Sequence, residues 1–324
     1  MHYTRVARSI VISILLALSG LGHAQSYPNR PIRWVVPFSA GSTSDVVARA
    51  IAPRLADLLG QPVSVDNRPG AGGVIGTDLV AKAPADGYTL LFAGNAPLAV
   101  NVTLQSKVPY DPVKDFVGIT QLVAASYLLV VHPSLGVNNV AELVAAARAR
   151  PGKLNYGSPG NGTGSHLTME LFKTAAGLDI SHVPYKGSAP AITDLLAGQV
   201  QLMFEPVASV GPHVRAGKLK ALAMSSARRI AAMPDMPTVA ESGFPGFQSE
   251  AWIGVAVRSG TPQDIIVKLH DGLTKVLQAP DLREQFSKLG LELTTSSPEA
   301  FTAFIKAEIP KWAKVIRDSG AKVD

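Results

Sequence analysis

Short apolar runs of strand length alternate with helix-periodic segments along most of the chain, and this alternation restricts the fold more than any other feature. The run IRWVVPF (32–38) is followed by a loop of small residues, SAGSTSD (39–45). Val47, Ile51, Leu55 and Leu58 then recur at spacings of three and four, which predicts a helix ending at Gly60. Pro53 falls inside that helix and predicts a kink. PVSVDN (62–67) and YTLLFAG (88–94) read as strands, with the helix GVIGTDLVAKA (73–83) between them. The alternation resumes at Asn139 with helices over 139–149, 164–176, 189–197 and 207–216. The interleaved strands fall at 154–158, 181–185, 200–204 and 219–225. A strand WIGVAV (252–257) and helices near 262–278, 281–289 and 298–318 close the chain. Strands alternating with helices predict βαβ units and a mostly parallel sheet.

Two stretches interrupt the rhythm. VPYDPVKDF (108–116) is punctuated by proline, and VGITQLVAASYLLVVHP (117–133) reads as two β-rich runs broken near Ala124–Ser126. PDMPTVAESGFPGF (234–247) is the second irregular crossing. A chain that leaves one αβ unit, builds another and returns predicts two Rossmann-like lobes joined by a two-segment hinge. The boundaries place 25–125 plus 226–324 in the first lobe and 126–225 in the second.

The segment before this pattern has another purpose. Residues 1–24 carry Arg5 and Arg8, an apolar core from Ile10 to Leu18, and Gly22 and Ala24 flanking His23. That is the pattern of a secretory leader cut after Ala24, with a core too short to span a bilayer. The 324 residues contain no cysteine, which excludes disulfides, thiol nucleophiles and cysteine metal sites. Export without disulfides points to a bacterial periplasm. Removing Arg5 and Arg8 with the leader lowers the formal net charge from +6 to +4. The remaining Lys and Arg form no stripe or aromatic-interleaved patch, so nucleic acid is not an expected partner. The mild positive bias suits capture of small anions.

Two loops carry the candidate chemistry. VVPFSAGSTSDVVARAI (35–51) and NYGSPGNGTGSHLTMEL (155–171) share one plan: strand, Gly/Ser/Pro loop, helix start. Neither has the Lys of a phosphate-binding GxxxxGK[ST] loop, nor the GxSxG elbow of a serine hydrolase. Gly70, Gly72 and Gly76 fall one residue out of a dinucleotide fingerprint and read as a tight turn with close helix packing. His132, His166, His182 and His213 lack metal-ligand spacing, so neither metal nor cofactor is expected.

What remains is backbone recognition. Free N–H groups at a helix start, with the helix dipole, favour an anion. Ser39, Gly41, Ser42 and Thr43 would form one cradle; Ser158, Gly160, Gly162, Thr163 and Gly164 the other. Each loop alone is equally consistent with ordinary capping. Asp45 reads as a capping or dipole-compensating residue, and His166 as a carboxylate donor or a first-turn filler. Tyr185, Lys186 and Glu205 stand at strand ends near the expected cleft; Glu205 could meet a ligand or hold the hinge. Asn95, directly after strand 88–94, joins the candidate ligand-binding set.

These stretches, with DNRPGAGGVIGTDLVAKAPADGYTLL, HVPYKGSAPAITDLLAGQVQLMF and PDMPTVAESGFPGF, run in one order along the chain. In that order the chain closely resembles the Bug family, the substrate-binding proteins of tripartite tricarboxylate transporters. The resemblance implies a type II periplasmic binding fold that closes like a flytrap on a small carboxylate and performs no chemistry. It implies that the loops matching 38–45 and 158–166, and so Phe38, Ala40 and Asn161 with the residues above, hold a ligand carboxylate. Ser42 stands where the family often has a second glycine, and Glu205 where aspartate is common. A monomer serving a membrane permease is expected, with a sensor-kinase ectodomain as the alternative partner. A periplasmic ester hydrolase is the alternative activity.

Overall fold

The computed structural model describes residues 27–321. The expected leader and its cut after Ala24 lie outside the described residues.

Among the described residues ten strands form the sheet system. They are β1 (Ile32–Val36), β2 (Val63–Asn67), β3 (Thr89–Gly94), β4 (Phe116–Val131) and β5 (Asn155–Ser158). They continue with β6 (Ser181–Pro184), β7 (Leu202–Pro206), β8 (Lys220–Met224), β9 (Glu250–Arg258) and β10 (Glu292–Leu293). The α-helices are α1 (Thr43–Leu59), α2 (Val74–Ala81), α3 (Asn101–Leu104), α4 (Val140–Arg148) and α5 (Gly164–Ala176). They continue with α6 (Ser188–Leu196), α7 (Val207–Arg215), α8 (Gln263–Leu277), α9 (Pro280–Lys288) and α10 (Pro298–Ser319). The strand order is β2-β1-β3-β9-β4-β7-β5-β6, with β8 and β10 also paired to β4.

β4 organises this order. Its first part, Phe116 to Ser126, runs antiparallel to β9, with register shifts after Gly118 and Gln121. From Tyr127 to Val131 it pairs with β7, and from Leu128 to Val131 also with β8. One strand therefore carries two groups of neighbours, and the exchange falls between Ser126 and Tyr127. The expected break near Ala124–Ser126 is absent: the backbone stays extended, and the hydrogen-bonding partners change instead. The expectation of a mostly parallel sheet is also corrected. Parallel pairing holds within β1–β3 and within β5–β7, where helical crossovers return the chain. Pairing along β4 and between β3 and β9 is antiparallel, because β4 and β9 run back across the molecule.

Both faces of each strand group are covered. Ile32, Trp34 and Val36 pack with Val47, Ile51 and Leu55 of α1 and Leu269 and Leu273 of α8, while Val35 faces the opposite cluster. In the other group Leu129 and Val131 face one cluster, Leu128 and Val130 the other. This period-two division of uniformly apolar strands is what burial on both faces requires. Helix α1 continues through Pro53 without interruption. The glycines near 70–76 behave as a tight turn with close packing: a side chain at Gly76 would meet Arg68 O at 2.8 Å and Pro37 Cα at 2.9 Å. A π-helical turn over 96–100 and the short α3 follow β3, where the sequence pattern had no element.

The long C-terminal helix α10 crosses the first strand group by one specific fit. The fully buried ring of Phe301 sits in a notch made by Gly118 of β4 and Gly254 of β9. A Cβ at Gly254 would meet Phe301 Cζ at 2.3 Å and the Thr120 carbonyl at 2.7 Å. Room for it would require both the helix that carries Phe301 and the β4–β9 pairing at Thr120 to shift. We expect Gly254→Ala to cost about 1–3 kcal/mol. Urea unfolding measures it; a loss below ~0.5 kcal/mol would show that the notch does not seat the helix.

Candidate functional site

The two small-residue loops end in helix starts built on one plan. Ser42 and Thr163 are the N-caps of α1 and α5, both extended (φ −67°, ψ 161° and φ −68°, ψ 157°). Each hydroxyl accepts from the backbone N–H three residues on, Asp45 at 3.3 Å and His166 at 3.4 Å. The side chain at that third position reaches back to the amide before the cap. Gly41 N donates to Asp45 Oδ2 at 2.8 Å, and Gly162 N donates to His166 Nδ1 at 3.0 Å. This is a variant of the capping box, shifted one residue outward. It consumes the N–H groups of Gly41 and Gly162. It leaves those of Thr43 and Ser44, and of Gly164 and Ser165, which have no carbonyl four residues back to bind. Among the described residues no backbone carbonyl accepts from them.

A cleft of about 1160 Å³ lies between these helix starts. Of the residues expected from the sequence, Phe38, Thr43, Asn95, Asn161, Gly162, Thr163 and Gly164 are on its wall, joined by Ser44. Tyr127, the first residue of β4 beyond the partner exchange, fills the space beside Gly164: a Cβ there would stand 1.9 Å from its hydroxyl. Only glycine fits at that position. The wall also takes Asn101 and Thr103 from around α3, Ser209 from α7, and Glu250 and Trp252 from β9.

The other expected residues stand outside the wall, for identifiable reasons. Ser39, Ala40 and Gly41 are exposed on the outer side of the first loop, and Ser42 is committed to its cap. Asp45 is buried and engaged by the Gly41 amide and by Arg49 Nε at 2.9 Å. Burial pushes its carboxyl up, but the hydrogen bonds from Arg49, Gly41 and Asn67 outweigh this and hold it below the usual range. Ser158 is fully buried, and Gly160 accepts from Thr163 Oγ1 at 2.8 Å. Tyr185 donates to Asp194 Oδ2 at 2.7 Å, and Lys186 is exposed. Glu205 lies fully buried behind α5, its Oε1 accepting from Ser165 Oγ at 3.0 Å while Oε2 has no partner. Burial raises its carboxyl, a shift the Ser165 hydroxyl offsets only in part.

His166 belongs to a stack beneath the second loop. Its ring lies 4.1 Å from that of His182, which lies 4.7 Å from that of Tyr156. Tyr156 donates to Glu170 at 2.5 Å, and Lys173 pairs with the same carboxylate at 2.7 Å. Burial, with Lys173 adding to it, lowers His166 to about 4. His182 also falls to about 4, from burial and then from His166. Both rings are neutral at pH 7, as an Nδ1 that accepts from Gly162 requires. The fold also creates a contact that the sequence concealed: Ser158 Oγ lies 2.6 Å from His182 Nε2. A hydroxyl near an imidazole is the start of a nucleophilic pair. Here the serine is fully buried, stands off the cleft wall, and braces its own loop by accepting from Gly160 N at 3.2 Å.

Ser44 had a usable local signal, since the free amides of a capped helix are its first two residues. Asn101, Tyr127, Glu250 and Trp252 had none, being assembled from distant segments.

Comparison with known proteins places this geometry in context. A family model described as "Tripartite tricarboxylate transporter family receptor" matches residues 47–321. Protein BugT of Bordetella pertussis is 41% identical over 327 residues, covering 100% of both chains. The R. palustris protein Rpa4515, solved with adipate, is 38% identical with a TM-score of 0.74, covering 92% of this chain and 100% of that one. MatC from Rhodopseudomonas palustris, solved with malate, is 32% identical with a TM-score of 0.70, covering 90% and 100%.

The histidine stack makes stability depend on pH in a defined direction. His166 and His182 bind protons more weakly folded, at about 4, than unfolded, at about 6.5. Between these values the unfolded chain binds more protons, so stability is full above pH 6.5 and falls towards pH 4. Melting temperature should therefore drop across this window, and His182→Gln should flatten the drop. An identical slope in the variant would show that other groups control it.

Proposed function

Because the chain belongs to the tripartite tricarboxylate transporter receptor family, we propose that it is an exported solute receptor. It captures a small organic carboxylate between two lobes and delivers it to the membrane permease of such a transporter. The observation that carries this reading is the pair of capped helix starts on either side of one cleft, each with two backbone N–H groups free. Three of the residues that carry them, Thr43, Ser44 and Gly164, stand on the cleft wall; their donors and two helix dipoles suit a carboxylate, and the relatives solved with adipate and malate bind molecules of that class.

The lobes comprise 25–125 plus 226–324, and 126–225. The exchange of β4 partners between Ser126 and Tyr127 supports one hinge segment there. The second is the passage from β8 to β9. Lobe closure would bring both sets of donors onto one ligand. Contacts already cross the cleft at two places: Leu104 packs within reach of Gly162, and Gly290 lies against Val207 and Ala208. The chain acts as a monomer without a cofactor and catalyses no reaction. The leader over residues 1–24, cut after Ala24, delivers it to the periplasm.

Thr43→Pro tests the role of the backbone donors. Proline is tolerated at the first helical position after an extended cap, so α1 should form normally, while one free N–H is lost. A carboxylate that raises the melting temperature of the wild type should bind the variant about ten-fold or more weakly, the worth of one hydrogen bond to a charged group. The unliganded melting temperature should stay within a few degrees, equivalent to under ~1 kcal/mol. Equal ligand-induced shifts in both proteins would remove α1 from the site.

A further inference from the structure

The cleft recognises an anion without a single cationic side chain. Among the described residues its wall carries no Lys, Arg or His, and the one acidic or basic residue on it is Glu250. The positive charge on the wall itself is the partial charge of the two helix starts, each equivalent to roughly half a unit charge. Together they match about one carboxylate. A second carboxylate on the same ligand would find no compensating charge and would share the cavity with Glu250.

Glu250 stands on the border between this cleft and a second, smaller pocket, which it shares with Gln248, Arg228 and Lys311. It begins β9, opposite Ser126 at the partner exchange. Its Oε1 accepts from Ser126 Oγ at 3.3 Å and its Oε2 from Gln248 Nε2 at 2.8 Å. Its carbonyl accepts from Asn95 Nδ2 at 3.2 Å, which ties the strand end to the cleft floor. No cation is paired with it within salt-bridge distance among the described residues.

The rest of the wall is apolar over much of its extent. Phe38, Val100, Leu104, Tyr127, Ile253 and Leu291 all contribute. At about 1160 Å³ the cleft is at or above the upper end of what a drug-sized molecule fills.

We propose that the cleft selects an organic monocarboxylate with a bulky apolar body over di- and tricarboxylates, and that Glu250 enforces this by excluding a second negative charge. The proposal rests on the receptor reading above and adds the class of ligand. The single carboxylate takes the free amides at the helix starts, and the apolar body covers the wall between Phe38, Leu104 and Tyr127. Glu250 is a specificity-determining residue, acting by repulsion as much specific recognition does.

Isothermal titration of the dialysed mature protein with 4-phenylbutyrate, octanoate, adipate and citrate tests this. At least one monocarboxylate should bind about ten-fold or more tightly than either adipate or citrate, a difference of about 1.4 kcal/mol. A second titration series uses Glu250→Gln, in which the ratio of adipate to monocarboxylate affinity should rise several-fold. If adipate or citrate binds the wild type as tightly as the monocarboxylates, the ligand class is wrong and the receptor reading stands. If none of the four binds, both fall. An unchanged ratio in Glu250→Gln would remove that residue from selectivity.

Discussion

The structure depends on one continuous strand that serves two sets of neighbours. A strand exchanges hydrogen bonds on both edges, so β4 can change partners along its length without leaving the extended conformation. It does so between Ser126 and Tyr127. The exchange opens a gap between the strand groups, and that gap is the cleft: Ala125 and Tyr127 both reach its wall. Asn95 secures the same level from the side. Its amide donates to the Glu250 carbonyl and its Oδ1 accepts from Trp252 N at 2.7 Å, so β9 cannot drift from the end of β3. The cleft floor is therefore a hydrogen-bonded crossing of strands.

Beside this floor the free hydrogen-bond donors of the helix starts belong to the backbone. Helix starts are ordinarily solvated or capped, and here each is capped so as to leave its first two amides free. The N-cap hydroxyl takes the third amide, and the third side chain takes the amide before the cap. Asp45 and His166 perform this task in unrelated chemistry, a carboxylate in one loop and a neutral imidazole in the other. His166 can accept only while unprotonated, and its burial against His182 and Tyr156 keeps it so at neutral pH. Such residues shape the site without reaching the cavity.

Much of the fold was legible because its signals are local. Helical spacing at Val47, Ile51 and Leu55 and strand-length runs such as IRWVV gave elements close to those observed. The β4 exchange was misread as a break, since a change of partner leaves no mark on the strand that makes it. β10, two residues long, has no periodicity to detect. At the site, the paired loops were visible as strand–glycine loop–helix repeats. Which residues face the cavity was less visible, because capping geometry moves the free donors from Ser42 to Thr43 and Ser44. Glu205 stood out in the sequence as a charge at a strand end, yet it lies behind α5. Glu250, the acid on the cleft wall, drew no notice because only the meeting of β4 and β9 brings it there.

The central claim is that backbone amides at two helix starts hold the ligand carboxylate. Amide chemical shifts of the labelled protein, followed while a binding carboxylate is titrated, test it most directly. The account predicts that Thr43, Ser44, Gly164 and Ser165 shift downfield together and saturate at one common dissociation constant. A ligand that saturates the protein while these four resonances stay in place would contradict it.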